Sequence, residues 1–327
     1  MPLEDMMETP TIAWQPAEYI DPTAFDERPV TLGDGEFAVP GTVTVPRGAG
    51  PHPAVVLLAG GGPFDRDATV GPNKVLKDLA WGLASRGIAV LRFDKVTHTQ
   101  AESFWGADCT PADEYVPHAI SAIEALRRLP SVDTERIFVL GHSMGGKMAP
   151  RVAAADPAVA GLVILAGDTH PLQWSIVRVL RHLADNDPES LEGLPSIDDA
   201  IEQAKLVDSP ELSLSTPRSD LPFGAPGSYW LDLRSYDPVA TAAALDKPMF
   251  IAQGGRDYQV TVADDLSGWQ AGLADRAEVT IRIYDADDHM FFPGSGPSLG
   301  ADYLRPQHLD PAVIADVADW LTTVRNH

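Results

Sequence analysis

Six short β-rich runs recur along this chain, at 53–59, 88–93, 136–140, 161–166, 248–253 and 279–284. The first five are almost continuously apolar, as in strands covered on both faces, and too short for buried helices. Helical patterns separate them, at 75–85, 111–129, 144–155 and 262–273, and a last one follows at 311–324. In the second pattern Ala119, Ile123, Leu126 and Leu129 recur at spacings of three and four, one face of a helix. A parallel neighbour strand is reached only through a crossover, so this alternation predicts an α/β fold built from βαβ units. Residues 29–46 add a hairpin signal, two β-rich runs around Gly33-Asp34-Gly35.

The alternation breaks from about 168 to 247. That stretch has no clear β run, helical patterns at 174–184 and 196–207, and a loop-like stretch at 209–230. A long strandless segment between two strands of one sheet predicts an insertion over the strands' C-terminal edge, where open α/β sheets bind ligands. The expected organisation is an N-terminal extension over 1–28, a core over 29–167 and 247–327, and a helical cap over 168–246.

Composition excludes several functions. The 327 residues carry 47 acidic against 24 basic side chains, a net charge of -23. Such a chain gains nothing from releasing counterions off nucleic acid, and an anionic membrane surface repels it. No apolar window approaches a membrane span. Cys109 is the single cysteine, so no intrachain disulfide forms. With no leader signal in "MPLEDMMETP", the expected location is the cytoplasm. No spacing suggests a metal site, and no cofactor is expected. Oligomeric state leaves no trace in the sequence.

The chemistry concentrates at 139–146, "VLGHSMGG". A Gly-x-Ser-x-Gly turn between a strand and a helix holds its serine on a strained reversal with the hydroxyl exposed. Gly141 and Gly145 supply the small flanks and Ser143 the candidate nucleophile. A serine hydroxyl needs a base, and the base needs an orienting acid. In a strand–turn–helix architecture these follow in the order serine, acid, histidine. Asp257 follows the run 248–253, and His289 follows the last run. Asp168, Asp287 and Asp288 are alternative acids. His308 and His327 also lie downstream but flank or end the terminal helix, and His142 adjoins the serine. The oxyanion needs backbone donors. Met144 N–H supplies one. The other comes from the triple glycine after the first run, with Gly61 favoured and Gly60 or Gly62 open. The loop "AGGGPFDRD" lacks the Lys-Ser/Thr of a phosphate loop. Candidate pocket residues are Gly62, Phe64, Trp174, Phe223, Tyr229 and Trp230, with cap–core packing as the alternative for the aromatic ones.

The segments "GGGPFDRD", "GPNKVLKDLAWGLASRGIAVLRFDK", "RIFVLGHSMGG", "SYWLDLRSYDPVA", "QGGRDYQV" and "DHMFFPGSGPS" resemble the α/β-hydrolases, in particular a bacterial carboxylesterase subgroup often filed with serine-aminopeptidase-like hydrolases. The likeness runs from about residue 35 onward. It implies a mostly parallel sheet with helices on both faces, a helical cap between strands 6 and 7, and a Ser143, Asp257, His289 triad. The family usually has His-Gly-Ser-Gly-Pro where this chain has Ala59-Gly60-Gly61-Gly62-Pro63. The expected activity is hydrolysis of carboxylic esters of small to medium acyl chain through an acyl-enzyme. Thioester hydrolysis, or acyl transfer or cyclisation, would use the same residues. A non-catalytic ligand-binding protein of the same fold is the alternative of another class. The expected partner is a small-molecule acyl ester or thioester.

Overall fold

The computed structural model describes residues 13–324; residues 1–12 of the expected extension and His327 lie outside it. Eight strands form one sheet: β1 (Phe25–Leu32), β2 (Val39–Pro46), β3 (His52–Leu58), β4 (Ala89–Phe93), β5 (Val132–His142), β6 (Leu162–Leu165), β7 (Met249–Gly254) and β8 (Val279–Tyr284). Their spatial order is β1-β2-β4-β3-β5-β6-β7-β8. The β1–β2 hairpin is antiparallel, β2 runs antiparallel to β4, and every later pairing is parallel. The first strand begins at Phe25, so the expected boundary at residue 28 falls inside it. The preceding segment packs Trp14, Ala17 and Ile20 against Phe25, Trp81 and Ala84.

The longer helices are α1 (Val75–Ala84), α2 (Pro111–Arg127), α3 (Met144–Ala155), α4 (Leu172–Asn186), α5 (Ile197–Asp208), α6 (Gly227–Ser235) and α7 (Pro311–Thr323). Strand residues alternate between two apolar layers. Ala54, Val56, Ile137 and Val139 face a layer containing Ala119, Ile123 and Leu126 of α2 and Met148 and Val152 of α3. Val55, Leu57, Phe138 and Leu140 face a layer containing Leu79 and Leu83 of α1 and Val313 and Val317 of α7. Both faces are covered, which is why the strand sequences are apolar without a break. α2 starts in a capping box between Thr110 and Asp113. Leu129 lies beyond its end. The expected helix at 262–273 opens with a wide π turn, Val262–Leu266, before Ser267–Gly272.

Between β6 and β7 the chain contains α4, α5, α6, a shorter helix at Pro238–Ala243 and short turns, with no strand. The stretch expected as loop to residue 230 already enters α6 at Gly227. α4 and α5 share a small apolar cluster built on Val177, Leu180, Ala200 and Ala204. Arg178 of α4 fixes this insertion to the core: its guanidinium reaches Asp264 at 2.8 Å, Asp265 at 2.8 Å and Gln259 O at 2.7 Å. Asp265 is wholly buried and also accepts the Thr169, His170 and Thr261 N–H groups. Truncating Asp265 leaves the Thr169, His170 and Thr261 N–H groups without their acceptor and breaks the buried half of the Arg178 pairing. Asp265→Ala should therefore cost about 3–5 kcal/mol of stability in urea unfolding.

Candidate active site

Ser143 stands at the reversal from β5 into α3, with φ 56° and ψ -125°. A non-glycine residue in that region costs about 1–3 kcal/mol, so the surroundings must hold it there. The strand enters the helix so sharply that a Cβ at Gly141 would meet Gly145 O at 2.1 Å. A Cβ at Gly145 would meet Leu58 O at 2.4 Å. Ser143 N–H donates to Leu165 O at 2.9 Å, which ties the turn to β6. Met144 is the first residue of α3, so its N–H has no partner in the helix and lies at the positive end of the helix dipole.

His289 is brought beside this turn by the loop after β8. Its Nδ1 lies 2.7 Å from Asp257 Oδ2, and both side chains are buried. Asp257 also accepts Gln253 Nε2–H at 2.9 Å and the Gln259 and Val260 N–H groups at 2.8 and 2.9 Å. A carboxylate holding four donors can only accept, so Nδ1 carries the imidazole proton and Nε2 is left with its lone pair. Burial opposes a charged imidazolium here. The charge and hydrogen bond of Asp257 outweigh it, and His289 is raised above the ordinary histidine value. Ser143 and His289 line one cavity of about 570 Å³.

The alternative residues are placed elsewhere. Asp168 lines the same cavity but pairs with Lys147 Nζ at 2.7 Å, not with the imidazole. Asp288 accepts the Met290 and Phe292 N–H groups and shapes the loop. Asp287 is fully buried and does not reach the imidazole; its nearest polar neighbour is the Asp310 carboxyl. Burial, with Asp310 and Asp288 close by, pushes it up to about 7, so it makes a poor orienting anion. His308 contacts Asp78, at the far side of α1. His142 does not reach the serine as a base. Its Nε2–H donates to His289 O at 2.7 Å, and its ring lies 4.8 Å from the His289 ring. Burial and the neighbouring imidazole push His142 down to about 3, so it is a neutral packing surface for His289. Its place beside the serine was the only sequence sign of that role.

Gly60, Gly61 and Gly62 all border the cavity, and a Cβ at Gly60 would lie 3.6 Å from Ser143 Oγ. Phe64, Phe223 and Tyr229 line it as expected, with Phe223 79% exposed at the rim. Two pocket expectations are corrected. Trp174 turns away to donate its Nε1–H to Asp208 Oδ2 at 2.7 Å and borders a separate shallow depression. Trp230 is wholly buried in the apolar layer of α2 and α3. In both cases the helical phase places the ring on the packing face, a detail residue type does not reveal. The wall instead uses Leu172, Ile176 and Leu180 of α4, together with Trp105 and Met290. Among the described residues no group of three or more His, Cys, Asp or Glu side chains is placed to hold a metal ion. Nor is any helix long and apolar enough to cross a membrane.

Comparison with known proteins places the chain. It is 36% identical over 304 residues to esterase EstD of Thermotoga maritima, covering 93% of this chain and 69% of that one. The chain belongs to the α/β-hydrolases, in the group of esterase EstD. The family described as serine aminopeptidase, S33, matches this hydrolase over residues 73–196. A further relative, 2,6-dihydropseudooxynicotine hydrolase of Paenarthrobacter nicotinovorans, is 30% identical over 150 residues, 46% of this chain and 37% of that protein. The structure of Est1E from Butyrivibrio proteoclasticus shares the hydrolase's fold at a TM-score of 0.56 and 14% identity, covering 90% of this chain and 97% of Est1E.

The turn gives a direct prediction. Gly145→Ala pushes a methyl group into the carbonyls of Leu58 and Ala59, so it should lower the midpoint of thermal unfolding by several degrees and displace Ser143. Both effects are checked by calorimetry and by crystallography of the variant.

Proposed function

We propose that this hydrolase cleaves carboxylic esters of small to medium acyl chain through an acyl-enzyme on Ser143. The observation that carries the reading is the buried Asp257–His289 pair opening onto the cavity that Ser143 lines. His289 Nε2 takes the Ser143 proton as Oγ attacks the ester carbonyl. Asp257 holds the imidazole in the required tautomer and stabilises the imidazolium. The oxyanion is received by the Met144 and Gly61 N–H groups. His289 returns its proton to the leaving alcohol, and water then releases the acid by the same steps.

The insertion between β6 and β7 serves as the cap, and its α4 side chains make the acyl wall. The cavity volume lies within the range of small-molecule sites, and Leu172, Ile176, Leu180 and Trp105 give it an apolar character. The internal pairing of the acidic cavity residues favours an ester over a peptide with a free amino terminus. Glu114 is neutralised by Lys95 at 2.9 Å and Asp168 by Lys147 at 2.7 Å, so neither offers an uncompensated charge to a substrate ammonium. The single cysteine suits a reducing, cytoplasmic setting. Cys109 is buried, and burial pushes its thiol up to about 11, which leaves it inert as a competing nucleophile.

Ser143→Ala should reduce kcat on p-nitrophenyl butyrate by at least about 10⁴-fold and abolish labelling by a fluorophosphonate. Turnover or labelling that survives the substitution contradicts the assignment.

The pH profile gives a second test. The base works only when neutral, and the Asp257 contact keeps His289 protonated to higher pH. The acid limb of kcat/KM should therefore fall above the ordinary histidine value of about 6.5. Asp257→Asn removes the main charge opposing burial, so the limb should move to lower pH while kcat drops about 10³–10⁴-fold.

A further inference from the structure

Five buried side chains meet under the Gly60–Gly61 peptide: Lys95, Thr97, Glu114, Tyr115 and Tyr229. Lys95 Nζ donates to Gly60 O at 2.8 Å and to Tyr115 Oη at 2.8 Å, and it pairs with Glu114 Oε1 at 2.9 Å. All three ammonium donors are used. Tyr115 O–H adds a second donor to Gly60 O, at 2.9 Å. Glu114 is completed by Thr97 Oγ1–H at 2.8 Å and by Tyr229 O–H of α6 at 3.0 Å. A buried ammonium and carboxylate are costly to remove from water, and an apolar pair would fill the same space. What an apolar pair cannot do is hold a carbonyl.

That carbonyl matters because of what lies across its peptide. Among the described residues only Gly50–Pro51 is cis, so the Gly60–Gly61 peptide is trans. In a planar trans peptide the C=O and N–H point in opposite directions. With Gly60 O held by Lys95 and Tyr115, Gly61 N–H points away from that cluster, and both glycines border the cavity that Ser143 lines. That N–H donates no hydrogen bond to any described residue. Three successive glycines give this loop no steric preference between that orientation and its flip. The flipped peptide would present an oxygen to the oxyanion and oppose the reaction.

We propose that Lys95, seconded by Tyr115, is the positioning residue that locks the Gly60–Gly61 peptide with its N–H toward the substrate oxygen. The inference rests on the Ser143 reading above. Lys95 touches no reacting atom, and its effect is exerted on the transition state through the peptide.

The test compares p-nitrophenyl butyrate turnover with inhibition by an aryl trifluoromethyl ketone, whose serine adduct carries an oxyanion. The double substitution Lys95→Met with Glu114→Gln removes both buried charges together. It should lower kcat about 10²–10³-fold, the size of one lost oxyanion donor, with KM within about threefold. Trifluoromethyl ketone affinity should fall by a similar factor, and fluorophosphonate should still label Ser143 on prolonged exposure. Tyr115→Phe removes one of two donors and should give a smaller loss of about tenfold in both readouts. If the double variant does not fold, Tyr115→Phe decides alone. A folded variant that keeps kcat and ketone affinity within threefold of wild type overturns the proposal. So does a loss carried by KM with ketone affinity unchanged. Ser143→Ala, run alongside, separates this from the parent reading: activity in that variant removes the nucleophile itself.

Discussion

The contact between the backbones of Gly141 and Gly145 is the constraint on which the site depends. A β-strand can pass directly into a helix over a single residue only if both flanks lack side chains. At this crossing a Cβ on either glycine would enter a carbonyl at 2.1–2.4 Å. The reversal places Ser143 at the sheet's C-terminal edge and leaves the first N–H of α3 free. It also sets the His142 ring against His289, tilted at 50° with centroids 4.8 Å apart. One local backbone solution thus fixes the hydroxyl, the free N–H proposed as an oxyanion donor and a surface beside the imidazole.

Around this turn the loops are secured by paired charges under them. Arg66 binds Asp94 through both oxygens, and Asp67 bridges Arg92 and Lys74. Lys147, one turn along α3 from Ser143, fixes Asp168. Arg178 fixes Asp265 and, with it, the insertion. The surface is strongly acidic, yet the cations near the site are spent inside on specific oxygens. Lys95 is the case in which the oxygen belongs to the peptide beside Ser143.

Much of this was legible in the sequence because each signal was local. The apolar runs read as strands since both sheet faces are covered. Ser143, Asp257 and His289 stand out as candidates because each follows a strand closely, and the hairpin because glycines mark its turn. The failures were of two physical kinds. Helical phase decides whether a ring faces a cavity or a core, which is why Trp174 and Trp230 were misplaced while Tyr229 was not. Long-range polar contacts leave no mark on local pattern. Lys95, Glu114 and Gly60 lie far apart in sequence, and only the fold brings the ammonium to the carbonyl. Gln253, which holds Asp257, was hidden inside a strand for the same reason.

The central claim is that a backbone hole made by Gly61 and Met144 faces the oxygen of a Ser143 adduct. A crystal structure of the protein inactivated by an alkyl phosphonate tests it most directly. The account predicts phosphorus bonded to Ser143 Oγ and the phosphoryl oxygen about 2.7–3.1 Å from both N–H groups, with Gly60 O still on Lys95. A phosphoryl oxygen directed away from these amides, or a Gly60–Gly61 peptide turned over with its carbonyl in the cavity, would contradict it.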